Sequence, residues 1–260
     1  MKVGAVFHFL SETDWLHLAV DAIGPFVSDI VIVAADASWK AGDYAPSNHR
    51  AYLRQIKARA RIHIVGGKWP SQKEQRQGGL DICKNLGMDY VFTLDCDEIM
   101  DRALTEWAIR EIHARKPGNI SLSCNTYFKF PWYRIEPRES SALTVLTRLT
   151  PATRHLGVVA LNGRPTDRVT SEEPRTFHDR PFHHFSWVRR SDEQIRKKIS
   201  NHSCSFPRAW YEEKWVRWNP AMRNFHPIYP TEYARVARVS QSQLPPQALR
   251  WAAENGKIPR

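Results

Sequence analysis

Residues 90–100 read YVFTLDCDEIM. The run from Tyr90 to Leu94 is apolar and β-rich, which predicts a buried strand, and it leads directly into Asp95-Cys96-Asp97-Glu98. If the extended conformation continues past Leu94, Asp95 and Asp97 point to one side and Cys96 to the other. Hard carboxylate oxygens at that spacing suit Mg²⁺ or Mn²⁺. The competing reading is that an acid at a strand end caps the helix that follows.

Working outward, the first hundred residues alternate short β-branched runs with helical patterns, the signature of βαβ units and a mostly parallel sheet. Strands are expected at Lys2–Phe9, Asp29–Ala34 and Arg61–Val65, the last ended by Gly66-Gly67. Helices are expected from Asp14 to Ile23, stopped by Gly24-Pro25, and from Ser47 to Arg59. Ser71-Gln72-Lys73-Glu74 has the form of a capping box, so a helix should run from there to Leu86 and stop at Gly87. In an open α/β sheet, ligands sit beyond the carboxyl ends of the strands, which makes the acidic cluster the expected site. Downstream, a helix is predicted at Leu104–Ala114, strands at Ile120–Phe130 and Leu143–Thr150, and helices at Ser191–Ser200 and from Pro245. The Pro-, Arg- and His-rich section between these reads as irregular.

Charge is unevenly spread. Residues 1–100 carry 11 Lys/Arg against 12 Asp/Glu, and residues 101–260 carry 27 against 15. Such an excess attracts polyanions: nucleic acid, an anionic lipid surface or an acidic polysaccharide. Cys83, Cys96, Cys124 and Cys204 form no CxxC pair and no zinc spacing, which points to reduced thiols. No signal-peptide pattern is visible, and no apolar run reaches the roughly 18 to 20 residues of a membrane span, so a cytoplasmic protein, soluble or at most peripheral, is expected.

The ordered set of motifs resembles the family-2-like glycosyltransferases with the GT-A fold. YVFTLDCDEIM matches their metal-binding segment. FHFLSETDWL occupies the place after the first strand, with Ser11-Glu12 where Asn-Glu is usual. IVIVAADASW supplies Asp36 and Ser38 after the second strand. EQRQGGLDICKN supplies Arg76, with Gln77 in place of asparagine. The resemblance covers residues 3–115 and extends loosely to HHFSWVRRSDEQIRKKI. It implies that Glu12, Asp36, Arg76 and Asp95 hold a nucleoside diphosphate and that Asp95 and Asp97 hold the metal and sugar. Residues 1–115 would form the donor half and residues 116–260 the acceptor half of one catalytic domain. Such enzymes often use a further downstream histidine on the metal; His184, with His183 beside it, is the candidate.

An inverting transferase also needs a carboxylate to deprotonate the acceptor hydroxyl. Asp167, Glu172, Glu173 and Asp179 fall in the right region, and Asp167 is preferred. Aromatic and basic residues interleave at 128–134 and 208–218. They could stack sugars or bases, or else Tyr211, Trp215 and Trp218 pack one face of a helix into a core. The acceptor is expected to be a polyanion such as DNA carrying a modified base, with an envelope glycan or lipid-linked saccharide at the membrane surface as the alternative. A non-catalytic nucleic-acid-binding protein is the competing class. A phosphoryl-transfer enzyme is disfavoured by the lack of a GxxxxGK[ST] loop.

Overall fold

The computed structural model describes residues 1–10, 14–36, 49–139, 142–161, 164–201, 206–207, 209–226 and 229–257, without the side chains of 49, 158–161, 164–167 and 201. In chain order the elements are β1 (Val3–Phe9), α1 (Leu16–Ile23), β2 (Asp29–Ala35), α2 (His49–Gln55), β3 (Arg61–Gly67), α3 (Gln72–Asn85), β4 (Tyr90–Asp95), β5 (Glu98–Ile99), α4 (Arg102–Arg115) and β6 (Asn119–Phe128). They continue with β7 (Tyr133–Glu136), β8 (Leu143–Arg148), β9 (His155–Leu161), β10 (Arg164–Thr170), β11 (Pro174–Trp187), α5 (Asp192–Asn201), β12 (Arg235–Arg238) and α6 (Pro246–Glu254). Two compact units result: Met1–Ser123 with Ser141–Phe182, and Cys124–Ser140 with His183–Arg260. The donor and acceptor halves expected from sequence divide at residue 115 instead.

The first unit is α/β, and its core sheet is parallel. β1 lies between β2 and β4, and β3 pairs with β2, all parallel; β8 joins β4 antiparallel, and the start of β6 joins β8. Every residue of β1 and β2 is buried, as expected of parallel strands covered on both faces. Helix α3 packs on this sheet through Leu80 and Cys83 against Val6, Val31, Val33 and Val91. Gly79 permits the approach: a Cβ there would lie 2.8 Å from Val6 Cγ2 and 3.1 Å from His8 Nε2. The Ser71 Oγ accepts from the Glu74 amide, and Gly87 follows the helix at φ +69°, so both ends of α3 stand where the sequence put them.

Four expectations need correction. β3 runs through Gly66 and Gly67, because those glycines still pair with Ala34 and Ala35 of β2. Helix α2 ends at Gln55, short of Arg59. The section expected to be irregular holds β9, β10 and β11; the first half of β11 is exposed on both faces, so it carries no period-2 pattern to read. Finally, β4 stops at Asp95, and Cys96-Asp97 form a turn that brings Glu98 into β5. Asp95 and Asp97 therefore do not sit on one side of a continuing strand.

In the second unit β7 pairs antiparallel with β12 and with the end of β6. Its core is aromatic: Phe128, Trp187, Trp210, Trp215, Phe225 and Tyr233 are all buried together. Tyr211–Val216 forms a π-helical turn with Trp215 inside, so packing accounts for Trp210 and Trp215. Among the described residues, no helix is long and apolar enough to cross a membrane.

Candidate active site

The strands decide where polar side chains converge. In the parallel pair of β1 and β4, His8 stands opposite Asp95 at the carboxyl edge of the sheet. The Asp95 amide donates to Glu98 Oε2 at 2.9 Å, and the Cys96 thiol donates to the His8 carbonyl at 3.4 Å, which together fix the turn after β4. From α3, Gln75 Nε2 donates to the Phe9 and Val33 carbonyls at 3.2 and 2.6 Å, tying the first turn of the helix to the ends of β1 and β2. The next residue, Arg76, is thereby aimed at the site.

Two buried arginines close on Asp95. Arg76 Nη2 donates to Oδ1 at 3.0 Å and Arg168 Nη2 donates to Oδ2 at 2.9 Å. Arg168 also donates to the Thr93 carbonyl at 3.3 Å and to Glu98 Oε1. The Arg76 and Arg168 side chains are 0% and 2% exposed, whereas that of Asp95 is 32% exposed. The cations thus lie behind the carboxylate, which opens outward. Asp97 and Glu98 are buried. Burial, reinforced by the charge of Arg76, drives the His8 imidazole well below its ordinary pKa, so this histidine is neutral at physiological pH.

The helix-capping alternative is decided by α4. Its N-cap is Asp101, whose Oδ1 accepts from the Leu104 amide at 2.8 Å. Asp95 and Asp97 do not cap it.

The other expected residues are placed as follows. Asp36 follows β2 at the same edge of the sheet, its amide donating to the Gly67 carbonyl and its carboxylate 3.9 Å from Arg50. Glu12 and Ser38 lie outside the described residues, and so does the side chain of Asp167, whose backbone is in β10. Glu172 accepts from Thr153 at 2.6 Å and lies 3.4 Å from Arg148. His184 is half-buried on β11 in the second unit, and its neighbour His183 lies 2.8 Å from the Tyr127 hydroxyl.

Tested against these positions, the expected divalent cation fits in part. The carboxylates offer the hard oxygens it needs, but both oxygens of Asp95 are engaged by guanidinium groups. Among the described residues, no group of three or more His, Cys, Asp or Glu is placed to hold a metal.

Sequence reasoning missed Arg168 and Glu98. Arg168 sits where the pairing of β10 with β9 shifts register between Thr166 and Val169, and such a bulge re-aims a side chain. No spacing in RPTDRVT announces this. Glu98 was legible only as part of the acidic run.

No family model matches the chain, and no curated protein does. Similar solved structures are S. aureus TarS 1-349 (10% identity, 80% of this chain, 68% of that one, TM-score 0.43) and the same protein with UDP-GlcNAc (11%, 54%, 37%, 0.39). A third is M. tuberculosis glucosyl-3-phosphoglycerate synthase with Mn²⁺, UDP and glucosyl-3-phosphoglycerate (14%, 46%, 43%, 0.36). The chain spans well under two thirds of the nucleotide-bound structures it matches. At TM-scores below 0.5 these likenesses are partial.

Proposed function

We propose that this chain is a glycosyltransferase of the GT-A type that moves a sugar from a nucleotide-sugar donor, a UDP-sugar, to an acceptor hydroxyl. The observation that carries the reading is the acidic strand end itself: Asp95 held open between two buried arginines at the carboxyl edge of a parallel sheet, with the neighbouring helix capped by another residue. The motif order from Phe7 to Met100 supports it.

In this reading Asp95, fixed by Arg76 and Arg168, accepts hydrogen bonds from donor hydroxyls. Asp36 and Glu12 complete the nucleoside seat. Asp97 is the proposed carboxylate ligand for Mn²⁺ or Mg²⁺. That cation, when bound, offsets the charge on the departing diphosphate. Asp167 is the proposed base on the acceptor hydroxyl. The acceptor is a hydroxylated base in DNA; an envelope glycan or lipid-linked saccharide, reached by peripheral contact with the membrane, is the alternative. The reaction is placed in the cytoplasm, in keeping with four cysteines that show no pairing pattern.

Thermal unfolding with UDP, GDP, CDP and ADP, each with and without Mn²⁺, tests the donor site on the wild type and on Asp97→Asn. A ligand at about 100 times its dissociation constant stabilises by roughly 2.7 kcal/mol, or about 5 to 10 °C for a chain of this size. The expected result is a shift that needs one nucleotide, Mn²⁺ and Asp97 together. No shift with any nucleotide overturns the reading. Release of intact nucleoside diphosphate during turnover separates transfer of a sugar from transfer of a nucleotidyl group.

A further inference from the structure

The charge excess of the chain is a property of one unit. The second unit, Cys124–Ser140 with His183–Arg260, holds 17 Lys/Arg against 8 Asp/Glu, whereas the first holds 21 against 19. Four of its large aromatic residues lie inside: Phe128, Trp187, Trp210 and Trp215 are each less than 5% exposed. The basic residues of this unit are guanidinium-rich, 12 Arg against 5 Lys.

Three of those arginines line one cleft of about 500 Å³, formed by Arg134, Glu136 and Arg138 with Arg235 and the backbone between them. Glu136 stands directly opposite Arg235 in the register of β7 with β12. Its Oε1 takes Arg134 Nη2 at 3.2 Å, and its Oε2 takes Arg235 Nη2 at 3.1 Å. One carboxylate thus orients two guanidinium groups on paired strands. Arg138 Nε donates to Asn125 Oδ1 at 3.1 Å, an orienting contact with a neutral partner. The lining set carries three positive charges against one negative, and Arg235 is 60% exposed.

We propose that this cleft is a seat for the phosphodiester backbone of a nucleic acid. Planar guanidinium groups fixed by strand pairing match phosphate oxygens bidentately, at lower ordering cost than mobile lysines. With guanidinium groups lining the cleft, recognition here is by phosphate and is independent of base sequence. A bilayer is a poorer match, because the only exposed large hydrophobic residue of this unit among those described is Val216. As the acceptor seat of the proposed transferase, the cleft depends on that reading; as a phosphate site it stands without it.

The test is fluorescence anisotropy of a short labelled DNA duplex across a salt series, without nucleotide, on the wild type and on Arg134→Gln/Arg138→Gln/Arg235→Gln. Each lost phosphate contact lowers the salt slope by about 0.9, so the triple variant should lose about 2 to 3 in slope. A control, Arg54→Gln/Arg110→Gln/Arg175→Gln, removes the same charge from exposed positions of the first unit and should leave the slope unchanged. If the triple variant does not fold, Arg235→Gln alone should lower the slope by about 0.9. Equal slopes in wild type and triple variant overturn the proposal. So does an equal loss in the control, or cleft-dependent binding to polyglutamate or to phosphatidylserine vesicles in place of DNA. The nucleotide-induced thermal shift, run in parallel, fails or holds separately: its absence with an intact cleft-dependent slope ends the transferase reading and leaves the seat.

Discussion

The two ends of the parallel sheet in the first unit each clamp one aspartate with cations, and they do so in opposite senses. At the amino edge, the Asp29 side chain is 4% exposed, while its partners Lys2, His63 and Arg61 are 36%, 24% and 76% exposed. At the carboxyl edge the order inverts: Arg76 and Arg168 are sealed in, and Asp95 is one-third open. A buried acid under solvated cations fastens strands together and offers the solvent nothing specific. A partly open acid backed by buried cations is a fixed acceptor surface. Desolvating two guanidinium groups is costly, and the sheet gains no closure from it that Asp29 does not obtain with a partly exposed lysine and histidine. That asymmetry is what the proposed donor site at the carboxyl edge rests on.

The comparison breaks most easily at Arg168. Arg168→Met leaves Glu98 buried without its guanidinium partner and removes one of the two on Asp95, a loss of about 3 to 5 kcal/mol, measurable by urea unfolding. Adding Glu98→Gln should recover part of it, since the two residues act as one pair. A cost under about 1 kcal/mol for Arg168→Met would mean that the buried cations are not what holds this edge.

How far the sequence led follows the same division. The parallel core was legible because β1, β2 and β4 are continuous apolar runs, and α3 because its cap and its closing glycine are local signals. Asp95 and Arg76 were legible through motif order. The turn at Cys96-Asp97 was not, since it depends on Glu98 folding back to the Asp95 amide. Arg168 was not either, because it reaches Asp95 across 73 residues from an irregular strand pair. In the second unit Trp210 and Trp215 read equally as a stacking surface or a core, and only tertiary packing distinguishes those.

A smaller effect sharpens the other edge. Burial would raise the Asp29 carboxyl, but hydrogen bonds from His63, Ser28 and Lys2 outweigh it and hold the pKa at about 2. A depressed folded-state value contributes stability above the unfolded pKa and loses it as pH falls through the folded one. Asp29→Asn should therefore cost about 2 kcal/mol at neutral pH, a difference that closes between about pH 4 and pH 2. Chemical unfolding of both proteins across that range checks it. The nucleotide-induced thermal shift should survive the substitution, because Asp29 is at the edge away from the site; its loss would erase the distinction between the two ends.

The smallest effect lies between the edges, in the helix that joins the core to the site. Ser71 caps α3 by accepting from the Glu74 amide at 3.4 Å, a long bond, so Ser71→Ala should cost about 1 kcal/mol. Four residues on, Gln75 already fastens the same turn to β1 and β2 through two carbonyls. Arg76 should therefore stay aimed at Asp95 when the cap is gone, and nucleotide binding should change less than twofold in titration calorimetry while the unfolding midpoint falls. If binding weakens in proportion to stability, the cap and not Gln75 sets the position of Arg76. The clamp on Asp95 would then be only as rigid as the first turn of the helix that carries it.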